Sequence, residues 1–296
     1  MIFQKKGQKI LLMKTIIILG AGPFGRACAN LLNDKYMHLL AFADNNPALH
    51  GTFIRHIPVI SVEHAVRQMP DIFLIGVMGS DRTQELKEQV YALGFRGTFM
   101  TVEELYRTYD IRSATLYRIA ERLHQQQVSG AVAELGVYKG DTAWKLNLLF
   151  PDRKLYLFDT FSGFDKRDVE KEKSGQFSRA ETGEFADTSE FAVRKRLLFP
   201  YQAVFRKGFF PETAEGLEEE TYALVSLDAD LYAPILAGLE YFYPRLNHGG
   251  MILLHDYNNQ RFSGAKRAVE DYEKQHGALA LVPLCDLHGT AVIVHS

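Results

Sequence analysis

Two cysteines, one tryptophan and no long apolar run narrow the field before any motif is read. Cys28 and Cys285 make no metal-type spacing and have no second pair. That excludes a thiolate zinc site and a disulfide framework, and it fits a reducing compartment in which both thiols pack in the fold. Charge of one sign is missing too: 34 Lys and Arg against 36 Asp and Glu leave a formal net charge of −2. The basic residues are scattered, so there is no footprint for a phosphate backbone and no nucleic-acid partner is expected. No stretch of about 18 apolar residues occurs, so no membrane span is expected. Lys5, Lys6 and Lys9 before Ile10 to Leu19 imitate a secretory signal, but Lys14 interrupts the apolar part and a glycine loop stands where a cleavage site would be. The expectation is a cytoplasmic protein. No fixed-period repeat is present, and the sequence does not decide between a monomer and a homo-oligomer.

What the chain has is alternation. From Thr15 onward, short apolar runs alternate with amphipathic stretches, the pattern of parallel strands joined by crossover helices. It runs through twice, and 296 residues suit two domains. The first series predicts strands at 16–19, 39–43 and 71–77 and helices around 27–33, 62–68 and 83–93, closing near Tyr106. Leu116, Ile119, Ala120 and Leu123 then fall at helical spacing in what reads as a connecting helix. The second series predicts strands at 131–135, 155–158, 222–227, 251–254 and 291–294, with helices at 144–149, 234–243 and 265–275. A polar stretch at 162–189, with Gly163, Gly175 and Gly183 and little periodicity, reads as an irregular lid or a disordered insertion. The boundaries are therefore 1–110 for a first domain, 111–128 for a linking helix and 129–296 for a second domain, both domains being Rossmann-like three-layer α/β folds.

The first glycine motif, Gly20-Ala-Gly22-Pro-Phe-Gly25, follows a strand and opens a helix, and Asp44 ends the next strand about twenty residues on. Glycines there let phosphates approach backbone amides at a helix N-terminus, and the acid can accept from ribose hydroxyls. Gly20, Gly22, Gly25 and Asp44 are thus candidates for binding a nucleotide. The opposing reading is a retained scaffold with an empty or regulatory pocket. Through Gly20 to Gly25, Phe42-Ala-Asp44-Asn-Asn-Pro47, Gly51 and Ile57-Pro58-Val59, the segment resembles the N-terminal domain of sugar-modifying acetyltransferases. That likeness implies nucleotide-sugar recognition, and whether the domain binds NAD, a nucleotide-sugar or nothing stays open. No hydride acceptor or proton relay accompanies the motif, so a dehydrogenase is not read from it.

A second glycine loop, Glu134-Leu-Gly136-Val-Tyr138-Lys-Gly140-Asp-Thr142, also sits where a strand turns into a helix. Glu134 would repel a pyrophosphate but suits the ammonium and sulfonium of S-adenosylmethionine (SAM), and Asp159 ends the next strand where it can grip both ribose hydroxyls. Downstream lie Ser226-Leu-Asp228-Ala-Asp230-Leu-Tyr232 and His248-Gly-Gly-Met-Ile-Leu-Leu-His255-Asp256-Tyr257. Alternation puts Asp228 and Asp230 on one face at a strand's carboxyl end, and Asp256 ends the following strand. Three converging carboxylates repel unless a proton or cation intervenes, and oxygen donors point to Mg²⁺. Each aspartate taken singly could instead cap a helix or turn. His255 is open among metal ligand, proton acceptor and packed side chain, while Trp144, Phe209 and Phe210 read as core.

From about Ser129 to the C-terminus the chain resembles the macrocin O-methyltransferase family. The stretches that carry this are Glu134-Leu-Gly136-Val-Tyr-Lys-Gly140, Phe158-Asp-Thr-Phe-Ser-Gly163-Phe, Lys207-Gly208-Phe-Phe210, Leu227-Asp-Ala-Asp-Leu-Tyr232, His255-Asp-Tyr257 and Gly264 to Tyr272. The resemblance implies a class I SAM-dependent methyltransferase fold acting on a sugar hydroxyl of a small molecule. Glu134, Gly136, Tyr138, Gly140, Thr142, Asp159, Gly208 and Asp228 would hold SAM. Asp228 and Asp256 would hold Mg²⁺, with Asp230 as general base and His255 lining the site. His255 stands where the antibiotic enzymes have a further aspartate. Two alternatives stay open: a nucleotide-sensing or assembly protein with a degenerate methyltransferase domain, and a metal-dependent hydroxylase. The latter needs two histidines and a carboxylate, and only His255 is visibly placed for it.

Overall fold

A computed structural model of the chain describes residues 13–32, 37–102, 104–105 and 110–296. The basic opening segment and Tyr106 lie outside them. The chain divides into two compact units, Met1–Asp110 and Ile111–Ser296.

The first unit contains β1 (Lys14–Leu19), α1 (Pro23–Leu31), β2 (Met37–Ala43), β3 (Phe53–Ile54), β4 (Ile57–Ile60), α2 (Val62–Arg67), β5 (Ile72–Ile75), α3 (Ser80–Ala92) and β6 (Thr98–Thr101). Its sheet runs β3-β4-β2-β1-β5-β6, parallel except that β3 lies antiparallel to β4. Alternation divides the strands between two faces: Ile17, Leu19, Ala41, Ala43, Phe73 and Ile75 pack with Val62, Ala65 and Val66 of α2 and Val90 of α3. Helix α1 begins four residues earlier than the periodicity predicts, because Pro23 presets the φ of the first helical position and needs no donor there. Cys28 is buried in α1, and burial pushes its thiol up to about 12; Cys285 is exposed, against the expectation that both would pack.

The second unit contains α4 (Ile111–Gln125), β7 (Ala131–Leu135), α5 (Asp141–Leu149), β8 (Leu155–Asp159), α6 (Lys166–Ser174), α7 (Glu190–Arg196), β9 (Ala203–Lys207), β10 (Tyr222–Leu227), α8 (Tyr232–Phe242), β11 (Leu246–Leu254), α9 (Gly264–His276), β12 (Ala280–Pro283) and β13 (Ala291–Val294). The sheet order is β12-β13-β11-β10-β7-β8-β9. Strands β11, β10, β7, β8 and β9 are parallel to their neighbours, and β13 runs antiparallel between β11 and β12. Odd and even strand residues separate into two cores. Val132, Leu157, Leu224 and Leu253 pack under α4 and α5, whereas Ala133, Phe158, Val225 and Leu254 pack under α8 and α9. Each fully buried aliphatic or aromatic side chain contributes roughly 1.5–3 kcal/mol, so the two apolar faces fix the register of the sheet and with it the positions of the strand ends.

Further features depart from the sequence reading. Helix α4 was expected to link the domains. It instead belongs to the second unit, with Leu116, Ile119, Ala120 and Leu123 buried in the core of that unit. The polar stretch is not irregular throughout. Asp165 caps α6 by accepting from Arg167 N at 2.9 Å, and Val169, Ala180, Leu231 and Phe262 form a small core with Phe164 and Phe185. Strands β3, β4 and β6 of the first unit went unread, as did β9 and β12 of the second. The last two are sheet edges carrying Arg206, Lys207 and Pro283, and an edge strand needs no continuous apolar run.

Candidate active site

Five parallel strands of the second unit end on one rim, and their exit loops carry Gly136, Asp159, Gly208, Asp228 and the His255-Asp256 pair. Open α/β sheets bind ligands at this rim. The loop after β7 cannot tolerate a side chain at Gly136: its φ is +86°, and a Cβ would lie 2.1 Å from the Asp228 carbonyl oxygen. The glycine therefore lets the ends of β7 and β10 touch, which draws the two candidate motifs together.

The rest of that loop is held from beside it. Val137 N and Tyr138 N donate to Asp159 Oδ2 at 2.7 and 2.9 Å, and Phe161 N donates to Asp159 Oδ1 at 2.6 Å. Asp159 was expected to grip both ribose hydroxyls; with three backbone amides on its two oxygens, it first of all shapes the glycine loop. Gly208 N donates to the Asp159 carbonyl at 3.0 Å, bringing the loop after β9 to the same point. Gly140 precedes α5 with a φ of +78°, and Thr142 is half-buried in the first turn of that helix. Tyr138 is drawn outward: its hydroxyl donates to Asp187 Oδ1 at 2.7 Å, Lys139 lies 2.5 Å from the same carboxylate, and the Thr188 hydroxyl donates to the Tyr138 carbonyl. The polar segment is thus fastened to the glycine loop.

The acids do converge. One oxygen each of Asp228, Asp230 and Asp256 lies within 4.8 Å of the others. Arg112, in the first turn of α4, donates to Asp228 Oδ2 at 2.7 Å, and His255 Nδ1 lies 2.7 Å from Asp228 Oδ1 and 3.1 Å from Asp256 Oδ2. Neither oxygen lies in line with the ring N–H, so these are ion-pair contacts more than directed hydrogen bonds. Burial alone would raise the Asp228 carboxyl, but the charges of Arg112 and His255 outweigh it and hold the group far below the usual carboxylate range. Asp256 is lowered in the same way, its burial outweighed by His255 and by a hydrogen bond from Asp230. Asp230 goes the other way: burial and the charges of Asp256 and Asp228 push it well above the ordinary value. Glu134, 1% exposed and with Oε2 lacking a hydrogen-bond partner, is raised by burial and by Asp228.

His255 is lifted from 6.5 to about 9, burial opposing the change and Asp228 and Asp256 driving it. A raised histidine pKa stabilises the fold fully below the unfolded value and loses that contribution as pH climbs through the folded one. Stability of the metal-free protein should therefore decline between about pH 6.5 and 9, and His255→Gln should flatten the decline. Denaturant titrations across that range check this; an unchanged slope in the variant would show that other groups cause it.

The sequence reading missed two residues here. Arg112 was absorbed into the supposed linker, although a cation in the first turn of a helix runs against the helix dipole and so calls for another reason. His288 lies on the loop before β13, and one donor atom each of His255, Asp256 and His288 falls within 4.8 Å. Burial, then the neighbouring His255, lowers its pKa. A second histidine does stand beside the first, contrary to the expectation that only His255 would be so placed. Its only sequence signal was the Asp286-Leu-His288 spacing of two metal-type donors. Phe210 is buried against Phe158 and Phe242, as its reading as core requires.

In the first unit, Gly25 is dictated by packing, because a Cβ there would lie 2.0 Å from the Gly20 carbonyl oxygen. Gly22 faces open space. Asp44 accepts from Ala21 N at 2.8 Å and from Asn46 N at 2.9 Å, so this acid also ties down its own glycine loop. Beside the loop lies a cavity of about 820 Å³ whose walls include Ala21, Arg26, Phe42, Thr52 and Arg55.

Comparison with known proteins agrees with the geometry of the second unit. The chain is 27% identical over 178 residues to mycinamicin III 3''-O-methyltransferase of Micromonospora griseorubida, covering 56% of this chain and 69% of that protein. Over 175 residues it is 25% identical to 8-demethyl-8-(2,3-dimethoxy-alpha-L-rhamnosyl)-tetracenomycin-C 4'-O-methyltransferase of Streptomyces olivaceus, covering 56% of this chain and 65% of the other. The chain thus spans about two thirds of the length of these relatives. The solved O-methyltransferase NovP superposes with a TM-score of 0.50 at 21% identity over 62% of this chain and 79% of that one, a likeness of fold. The second unit accordingly has the class I SAM-dependent methyltransferase fold. No helix among the described residues is long and apolar enough to cross a membrane. A model of the macrocin-O-methyltransferase (TylF) family matches residues 108–294, well over half the chain, and the chain belongs to that family of O-methyltransferases.

Proposed function

We propose that the protein transfers the methyl group of SAM to a sugar hydroxyl of a small molecule, with a divalent cation at the acid rim. The observation that carries this reading is the gathering of Asp228, Asp230 and Asp256 beside a glycine loop that can accept no side chain at Gly136. One relative is named for a rhamnosyl-bearing tetracenomycin, which supports the acceptor class.

Glu134 supplies a buried carboxylate with an unused oxygen for the ammonium of the SAM methionine. Gly136, Tyr138, Gly140 and Thr142 would line the cofactor, with Asp159 and Gly208 toward its ribose. The acid rim suits a cation because the carboxylates outnumber Arg112 and His255, and burial together with the charges of Asp256 and Asp228 raises Asp230 when nothing else neutralises it. Asp228 and Asp256 are the residues to hold it. A bound divalent ion supplies Lewis acidity that lowers the pKa of an acceptor hydroxyl. Asp230, as its carboxylate, would take the proton of the acceptor hydroxyl as the methyl group passes from SAM to that oxygen. His255 holds Asp228 and Asp256 in register. The first unit, by its glycine loop and adjoining cavity, would recognise a nucleotide or nucleotide-sugar.

Calorimetry with SAM and, separately, with nucleotide-sugars tests both assignments. Saturable SAM binding that Glu134→Ala weakens by about ten- to a hundredfold, the loss of one charge-assisted hydrogen bond, is the expected result. Binding of a nucleotide-sugar without SAM binding would turn the reading toward a sensing protein.

A further inference from the structure

The rim holds a second group of donors that a purely carboxylate site would not need. Asp256 belongs with His255 and His288, one ligand atom of each lying within 4.8 Å of the others. Bonds of about 2.0–2.2 Å to a central ion place ligand atoms up to about 4.4 Å apart, so small side-chain rotations bring this group onto an ion. The His255 and His288 rings face each other at 5.3 Å between centroids, tilted by 38°.

These three residues are also held in place. Asp256 Oδ1 accepts from Asn259 Nδ2 at 2.6 Å, leaving Oδ2 toward His255. The loop carrying His288 is pinned on both sides: Asp286 accepts from Thr290 N and Thr290 Oγ1, each at 2.6 Å, and Asn258 N donates to the Gly289 carbonyl at 2.9 Å. Metal ligands are characteristically oriented by such outer hydrogen bonds. Donor chemistry then decides the ion. Mg²⁺ takes oxygen ligands and dehydrates reluctantly, whereas imidazole suits borderline first-row ions such as Fe²⁺, Co²⁺, Ni²⁺ and Zn²⁺.

We infer that His255, Asp256 and His288 form a nitrogen-rich divalent-metal site built for a borderline transition ion and not for Mg²⁺. The inference deepens the proposed function by naming the class of cation at the same rim, and it rests on that reading for the use of the ion, though not for its binding. Only coordination is involved.

The full chain, stripped with a chelator and free of SAM, is titrated in separate runs with Co²⁺ and with Mg²⁺. His288→Gln should weaken Co²⁺ binding at least about tenfold, within the range seen when metal-site partners are removed, and should alter the visible absorption of bound Co²⁺ while leaving Mg²⁺ binding unchanged. His255→Asp should act oppositely on the two ions, raising Mg²⁺ affinity and lowering Co²⁺ affinity, which keeps the test open if one variant folds poorly. Co²⁺ affinity and absorption unchanged in His288→Gln would overturn the inference. Loss of SAM binding together with intact histidine-dependent Co²⁺ binding would remove the proposed function and leave this site standing. The converse result, SAM binding with a histidine-independent ion, would remove the site and leave the methyltransferase.

Discussion

Asp230→Asn should reduce methyl transfer by about 10²–10⁴-fold, the range for loss of a positioned general base, while SAM affinity stays at the wild-type level. Single-turnover measurement with labelled SAM separates the two quantities; turnover near the wild-type rate would remove Asp230 from the role of base. The same variant should be more stable than the parent in the absence of metal. Burial and two neighbouring carboxylates raise the Asp230 pKa, so the folded state holds a proton that the unfolded chain gives up. Stability from that proton is lost as pH rises, and the asparagine escapes the loss because it carries no charge at any pH. An inactive protein with a higher melting midpoint at neutral pH is the combined signature of a group strained for function.

Arg112→Met is expected to do the opposite, lowering stability with little change in the shape of the glycine loop. Arg112 and Asp228 meet at 2.7 Å with side chains only 15% and 21% exposed. Removing one partner of a largely buried pair leaves the other charge unmatched, at a cost of about 3 kcal/mol at the lower end of the usual range. For a unit of this size that corresponds to a fall of roughly 6–12 °C in melting midpoint. Added divalent cation should restore part of it, since a metal at the rim performs the same neutralisation. Thermal melts with and without metal check this. A midpoint shift under about 1 °C would mean that His255 alone suffices to neutralise Asp228.

Much of this was legible in the residues. The strands that carry the site are largely apolar where they are buried on both faces, so β7, β8 and β10 were placed within a residue, and the acids at the strand ends followed. Only the apolar last four residues of β11 were read, its opening through Asn247, His248 and two glycines carrying no apolar run. Local spacing also gave the two glycine loops. What it could not give was any contact made across the chain. Arg112 reaches Asp228 over 116 positions, and its place in the first turn of its helix, though unfavourable to a cation, does not say which acid it meets. His288 sits in a turn whose conformation is set by Asp286, Thr290 and Asn258, none of which stands out in the sequence. Asp159 was correctly placed at a strand end, but which groups its oxygens meet depends on how closely two neighbouring loops approach. The segment at 162–189 misled for a related reason: its order comes from a satellite cluster of widely spaced aromatic and aliphatic residues, which leaves no period to detect.

One contact beside that satellite cluster ties α6 to the acid rim. Glu172, wholly buried on α6, accepts from Tyr232 N at 2.9 Å, and Tyr232 opens α8 two positions after Asp230, whose φ is +57°. The Glu172 carboxylate on α6 thus also secures the tight bend that carries Asp230. Any change that displaced α6 would take Glu172 from the amide of Tyr232, so the packing of this segment and the backbone posture of Asp230 are set together.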